Sequence, residues 1–133
     1  MKFRVGLHTA GMNPEGFAQL LPSLDWVGFD VKAPFAEYAR ITGIAHSGTH
    51  ALESLRSLLA SGIGYEVRTT LHPALLSTTD LLQIKEQLIA LGVAHFAVQQ
   101  FRAQGVVPGR LPAAPSITLP LDYGQGFASF IQR

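Results

Sequence analysis

A carboxylate and an ammonium group lie two residues apart near the end of a predicted buried strand. The segment "DWVGFDVKAP" (25–34) is rich in valine and aromatic residues and stops at a proline. Side chains alternate between the two faces of a strand, so Asp30 and Lys32 are expected to point the same way. Such a pair either binds the charged groups of a ligand or balances its own charges within the fold. The residues alone leave both interpretations open.

Other kinds of chemistry are disfavoured by the residues present. The chain has no cysteine, which excludes disulfides, thiolate catalysis and cysteine-ligated clusters within it. The five histidines are dispersed, and the one pair with the i, i+4 spacing of a zinc motif, His46/His50, spans a glycine-containing loop. No serine lies in a nucleophile-elbow sequence. We therefore assign no catalytic residue and no metal ligand.

Composition and charge narrow the function classes further. The chain has 133 residues, of which 47% are hydrophobic, and a formal charge of +1. This is enough for one globular domain with its own core. The basic residues are scattered, so nucleic-acid binding is not expected. No apolar run approaches the roughly 20 residues that span a bilayer, and no signal-peptide pattern is present. We expect no membrane association and a cytoplasmic location.

Strand and helix patterns alternate along the first hundred residues. Period-two segments predict four strands, and amphipathic segments with capping residues predict the helices between them; the strands are at 3–9, 25–33, 65–73 and 95–101. Connections of ten or more residues favour crossovers and a parallel sheet. Residues 103–133 are rich in glycine and proline and are predicted to form an irregular tail, in which "FASFIQ" (127–132) is either a short strand or a helix.

The two faces of the predicted sheet differ in polarity. One face is apolar and suits a helix layer, whereas the other carries ionisable side chains, as in the lumen of an α/β barrel that holds a ligand. We therefore predict an α/β fold, specifically a four-stranded parallel β/α half-barrel, a partial TIM-like barrel. Asp30, Lys32, Arg68, Thr70 and Gln99 fall late in their strands, where ligand sites gather. For Arg68, an ion pair with Glu66 is nearly as well supported as a ligand contact.

Three segments in series resemble one protein family. The segments "LHTAGMNPEGFAQLLPSLDWVGFDVKAPFAEYARITG", "GYEVRTTLHP" and "AVQQFR" are similar to the C-terminal half of radical S-adenosylmethionine activating proteins. The most similar branch is the anaerobic ribonucleoside-triphosphate reductase activating type, which is related to pyruvate formate-lyase activating enzymes. The similarity runs from about residue 5 to 102, so it implies that 1–102 is the C-terminal half of a radical S-adenosylmethionine β/α barrel.

The resemblance implies a set of residues that bind S-adenosylmethionine. Lys32 is suited to its carboxylate, and the full implied set is Thr9, Gly11, Asp30, Lys32, Arg68, Gln99 and Arg102. The chain departs from the family at the first strand, where His8 replaces an acid and Ala10 replaces an asparagine. These departures weaken the expectation of a polar contact to the ribose from this segment.

A larger departure concerns the iron–sulfur cluster. The family's chemistry uses S-adenosylmethionine together with a [4Fe–4S] cluster on three cysteines of a CxxxCxxC motif, and this chain has no cysteine. We expect it to be a fragment of such an activase, inactive alone and with no cofactor tightly bound. The complete enzyme would generate a glycyl radical on a partner reductase or lyase.

The alternative is a non-catalytic half-barrel, a binding or assembly module that completes a barrel with another chain. In both cases the strand at 3–9 is an exposed edge that invites pairing. We therefore expect a homo-oligomer formed through that edge.

Overall fold

Five parallel strands in sequential order form the centre of the molecule. The computed structural model describes residues 4–101 and 117–133. The sheet order is β1-β2-β3-β4-β5, and every neighbouring pair is parallel. The strands are β1 Gly6–Thr9, β2 Trp26–Asp30, β3 Gly64–Leu71, β4 His95–Gln100 and β5 Ser129–Gln132. The predicted α/β class with a parallel sheet is therefore confirmed.

Helices connect the first four strands, and their ends follow from local sequence. The helices are α1 Pro14–Leu20, α2 Tyr38–Thr42, α3 Ser47–Ser61 and α4 Thr78–Leu91. Asn13 caps α1 by accepting a hydrogen bond from the backbone of Gly16, and Ser77 forms a capping box with Asp80 at α4. Gly92 ends α4 in the left-handed conformation, which glycine adopts without steric cost.

One hydrophobic core lies between the sheet and the helices. Leu55 and Leu58 of α3 and Ile84 of α4 are essentially inaccessible to solvent and belong to the same cluster as Val27 and Phe96 of the strands. The opposite face of the sheet carries the acidic, basic and histidine residues of the strands, which are His8, Asp30, Glu66, Arg68 and His95. The predicted division into an apolar and an ionisable face is therefore present.

The prediction of four strands is wrong by one strand. β5 pairs with β4 within the 103–133 segment that was expected to be irregular, so the strand alternative for "FASFIQ" is the one observed. Aromatic packing holds it in place, since the Phe96 ring lies 5.1 Å from Phe127 and 5.9 Å from Phe130, centroid to centroid. The glycine- and proline-rich sequence around β5 did not predict this strand, because the residue that it packs against, Phe96, lies on β4.

The sheet of the described residues is open rather than closed into a barrel. β1 and β5 are its two edges, so the exposed-edge position expected for the first strand is observed. Within 4–101 and 117–133, no helix has both the length and the apolarity needed to cross a membrane.

Gly48, near the start of α3, allows a close backbone contact. A Cβ atom at this position would overlap the backbone carbonyl oxygen of Phe35, in the turn before α2. We predict that Gly48→Ala lowers the free energy of unfolding by about 2–3 kcal/mol, although alanine is the better helix former. Thr49→Ala, on the exposed neighbouring position, is the control and should change it by less than about 0.5 kcal/mol. Urea denaturation measures both, and an unchanged or raised stability of Gly48→Ala would contradict the contact.

Candidate functional site

A cavity of about 320 Å³ opens at the carboxyl ends of β2 and β3. Parallel strands bring their carboxyl ends to one edge of the sheet, where ligands of such folds bind. The wall combines charged and polar groups with apolar side chains; the lining residues are Asp30, Val31, Lys32, Ile41, Thr70, His72, Leu75, Leu76 and Phe101. Asp30 and Lys32 therefore share one cavity, and within the described residues neither takes part in an ion pair.

The backbone between Asp30 and Lys32 is fixed by β3. The N–H of Val31 donates to the carbonyl oxygen of Arg68 at 2.8 Å. The buried hydroxyl of Thr69 donates to the carbonyl oxygen of Val31, also at 2.8 Å. With Val31 held in the core, its two neighbours turn to the opposite face and reach the cavity.

Tyr38 of α2 holds the next backbone group. The N–H of Lys32 donates to Tyr38 Oη at 2.9 Å, and the Tyr38 side chain is fully buried. Burial raises the pKa of Tyr38 well above its ordinary value, the hydrogen bond from Lys32 opposes the rise, and the negative charge of Asp30 adds to it. The phenol therefore stays neutral, and α2 serves to position Lys32.

Thr9 and Gly11 do not reach this cavity. Thr9 Oγ1 accepts a hydrogen bond from the Gly11 N–H at 3.0 Å, and Ser54 Oγ of α3 donates to the Gly11 carbonyl at 2.8 Å. Gly11 has φ +71° and no space for a side chain, since an added Cβ would lie 2.6 Å from the Phe29 ring. Both residues therefore shape the turn from β1 into α1, beneath the helix layer.

Arg68 lies on the open face of the sheet but does not line the cavity. Its Nε donates to Glu66 Oε1 at 2.7 Å, so the ion-pair alternative is the arrangement observed. The guanidinium also lies 5.3 Å from the centre of the Trp26 ring, and one of its nitrogens is 3.1 Å from His8 Nδ1. Because arginine only donates, His8 Nδ1 takes the acceptor role in a hydrogen bond with it.

Glu66 joins two arginines on the same face. Arg133, directly after β5, donates to both carboxylate oxygens of Glu66, at 2.7 and 3.2 Å. These hydrogen bonds, more than those from Arg68, lower the pKa of Glu66 despite its partial burial. The sequence did not indicate this partner, because Arg133 reaches Glu66 only once β5 has joined the sheet.

The remaining members of the implied set are Gln99 and Arg102. Gln99 is exposed, and its amide donates to Thr70 Oγ1 at 3.3 Å. Gln99 therefore contacts a cavity-lining residue without lining the cavity itself. Arg102 lies outside the residues that the structure describes.

His72 is a cavity residue that the sequence analysis did not select. It follows β3 and continues the alternation of Arg68 and Thr70 on the open face. Its Nδ1 atom is buried and has no hydrogen-bond partner among the described residues, and its ring centre lies 3.9 Å from that of Phe101. The available signal was the alternation together with its place at a strand's carboxyl end.

Comparison with known proteins does not assign a function to this cavity. Neither a protein-family model nor a curated protein matches the chain. In the described part of the chain, no three histidine, aspartate or glutamate side chains lie close enough together to hold a metal ion.

We predict that Tyr38→Phe disturbs the cavity because it leaves the Lys32 N–H without its acceptor. A buried unpaired donor costs about 1–3 kcal/mol of folding free energy. The matched control is Tyr65→Phe, since Tyr65 Oη accepts from the Ala94 N–H at 2.8 Å. Both variants should lose similar stability in urea, whereas only Tyr38→Phe should move the amide resonances of Asp30 and Lys32. Equal shifts of these resonances in both variants would contradict the positioning role of Tyr38.

Proposed function

We propose that the cavity binds S-adenosylmethionine and that the chain is part of a β/α barrel of the radical S-adenosylmethionine activating type. The observation that carries this proposal is the convergence of Asp30 and Lys32 on one cavity at the carboxyl edge of the sheet. Neither group is neutralised by another side chain within the described residues. An unpaired carboxylate and ammonium in a cleft favour a ligand that carries both signs of charge.

The chemistry of the cavity suits this ligand. S-Adenosylmethionine carries a carboxylate, an ammonium and a positively charged sulfonium. Lys32 Nζ complements the carboxylate, and Asp30 complements the positive groups. Leu75, Leu76 and Phe101 supply apolar wall for the uncharged parts. In this proposal the residues of the chain bind and orient the ligand, and the ligand supplies the sulfonium chemistry.

The [4Fe–4S] cluster of the family does not fit this chain. Its ligands are cysteine thiolates, and the sequence contains none. We therefore assign the chain a binding role and derive no radical step from its residues. Within the proposed family, a second polypeptide segment supplies the cluster, and the macromolecular partner is a glycyl-radical reductase or lyase.

The strand order and the single helix layer also support the proposal that the chain is part of a β/α barrel. A doubly wound sheet reverses its strand order at a switch point and carries helices on both faces. In this chain the order is sequential, and the buried helical residues belong to a single cluster with one face of the sheet. Singly wound β/α barrels have this arrangement, with the other face as the lumen.

We predict weak, saturable binding of S-adenosylmethionine to the chain, detected by amide chemical-shift changes around β2 and β3. Lys32→Ala and Asp30→Asn should each raise the dissociation constant about tenfold or more, because the first removes the ammonium group and the second removes the negative charge of the carboxylate. Arg56→Ala removes an exposed cation of α3 and should leave it unchanged. Absence of saturable binding to the unmodified chain, or an equal effect of Arg56→Ala, would refute the proposed site.

The open face of the sheet favours a second candidate, a non-catalytic assembly module. Parallel sheets are usually covered on both faces, whereas His8 and Gln99 are exposed on this one. Among the described residues, the outer edge of β1 also has no neighbouring strand. A chain that supplies further strands would cover both the face and the edge.

We predict that the chain self-associates through the β1 edge. Val5, which is 45% exposed beside β1, is the position to charge, because lysine on an edge strand opposes pairing. Val5→Lys should shift the mass measured by light scattering to that of the monomer, whereas Leu20→Lys, 50% exposed on α1, should not. A monomeric unmodified chain at micromolar concentration would contradict edge association.

A further inference from the structure

A buried imidazole nitrogen without a partner lies in the wall of the cavity. His72 Nδ1 is removed from solvent and makes no hydrogen bond among the described residues. Leaving a buried polar atom unpaired destabilises the folded state, so such atoms are rare in native proteins. Tyr38, by contrast, has a backbone partner for its buried hydroxyl. The exception at His72 therefore indicates a partner other than the described residues.

The position of His72 points to a ligand as that partner. His72 lines the same cavity as Asp30 and Lys32. It follows directly after β3, on the face that also carries Thr70, so its side chain belongs to the ligand side of the sheet and not to the helix core. Phe101 covers the imidazole at 3.9 Å between ring centres and is itself 38% exposed, so this aromatic cover borders solvent.

We propose that His72 is a specificity-determining residue of this cavity, whose Nδ1 atom hydrogen-bonds a polar group of the bound ligand while Phe101 packs against the adjacent apolar part. The inference rests on the proposed function, because it requires a small ligand between Asp30, Lys32 and His72. It adds a third polar contact to the two charged ones. A site with a buried hydrogen-bonding group rejects ligands that lack the matching group more strongly than an apolar wall does.

The test uses the full chain, with S-adenosylmethionine as the probe. His72→Phe keeps an aromatic ring against Phe101 and removes the nitrogen, and we expect its dissociation constant to rise about tenfold. His72→Asn places an amide near the position of Nδ1 and should recover part of this loss. His95→Phe is the matched control, since His95 is exposed at the opposite end of the sheet, and it should bind as the unmodified chain does.

A second measurement does not depend on how the variants fold. The Nδ1 resonance of His72 in ¹⁵N spectra of the unmodified chain should shift as S-adenosylmethionine is added, because hydrogen bonding changes the shielding of that nitrogen. The Nδ1 resonance of His95 should stay in place.

The outcomes separate this inference from the proposed function. If Lys32→Ala weakens binding but His72→Phe does not, and the His72 resonance is unmoved, the inference is overturned and the proposed site stands. If the unmodified chain shows neither binding nor a resonance shift, both are overturned. Weakening by His72→Phe, partial recovery in His72→Asn and a shifted Nδ1 resonance together establish the contact.

Discussion

The parallel pairing of consecutive strands is the constraint from which the rest of the structure follows. Each parallel neighbour requires a crossover, and in this chain the crossovers supply one apolar helix layer against one face of the sheet. The strand residues of the hydrophobic core face that layer, and the acidic, basic and histidine residues of the strands lie on the other face. The same pairing brings the carboxyl ends of β2 and β3 together, which is where Asp30, Lys32, Thr70 and His72 meet.

Packing between α3 and the turn before α2 positions the backbone of Lys32, a residue of the cavity. Gly48 lets α3 approach the backbone carbonyl of Phe35, and the turn at that position leads directly into α2. Tyr38 at the start of α2 is buried by this contact and accepts the hydrogen bond from the Lys32 N–H. These few contacts connect α3 to Lys32. The core therefore holds the backbone of the residue that carries the ammonium group.

The open face contains two polar regions with opposite character. In one, Glu66 is satisfied by Arg68 and Arg133, and Arg68 also contacts His8 and Trp26. In this network the charged groups pair with one another and connect β1, β3 and the end of β5. In the other, the described residues supply no ion-pair partner to Asp30 or Lys32 and no hydrogen bond to His72 Nδ1. The unsatisfied region is therefore the better candidate for binding a ligand, although Arg68 was equally prominent in the sequence.

Sequence alone determined the α/β class, the first four strands, the caps of α1 and α4, the two faces and the shared direction of Asp30 and Lys32, because periodicity and capping are encoded within a few residues. Tertiary structure decided what depends on distant partners. It placed Thr9 and Gly11 under α3, added β5 through aromatic contacts with Phe96 and paired Glu66 with Arg133 across 67 positions of sequence. It also buried His72 Nδ1 without a hydrogen-bond partner in the described parts of the chain. Such long-range contacts have no signal in a local pattern, since each exists only after the strands have been brought side by side.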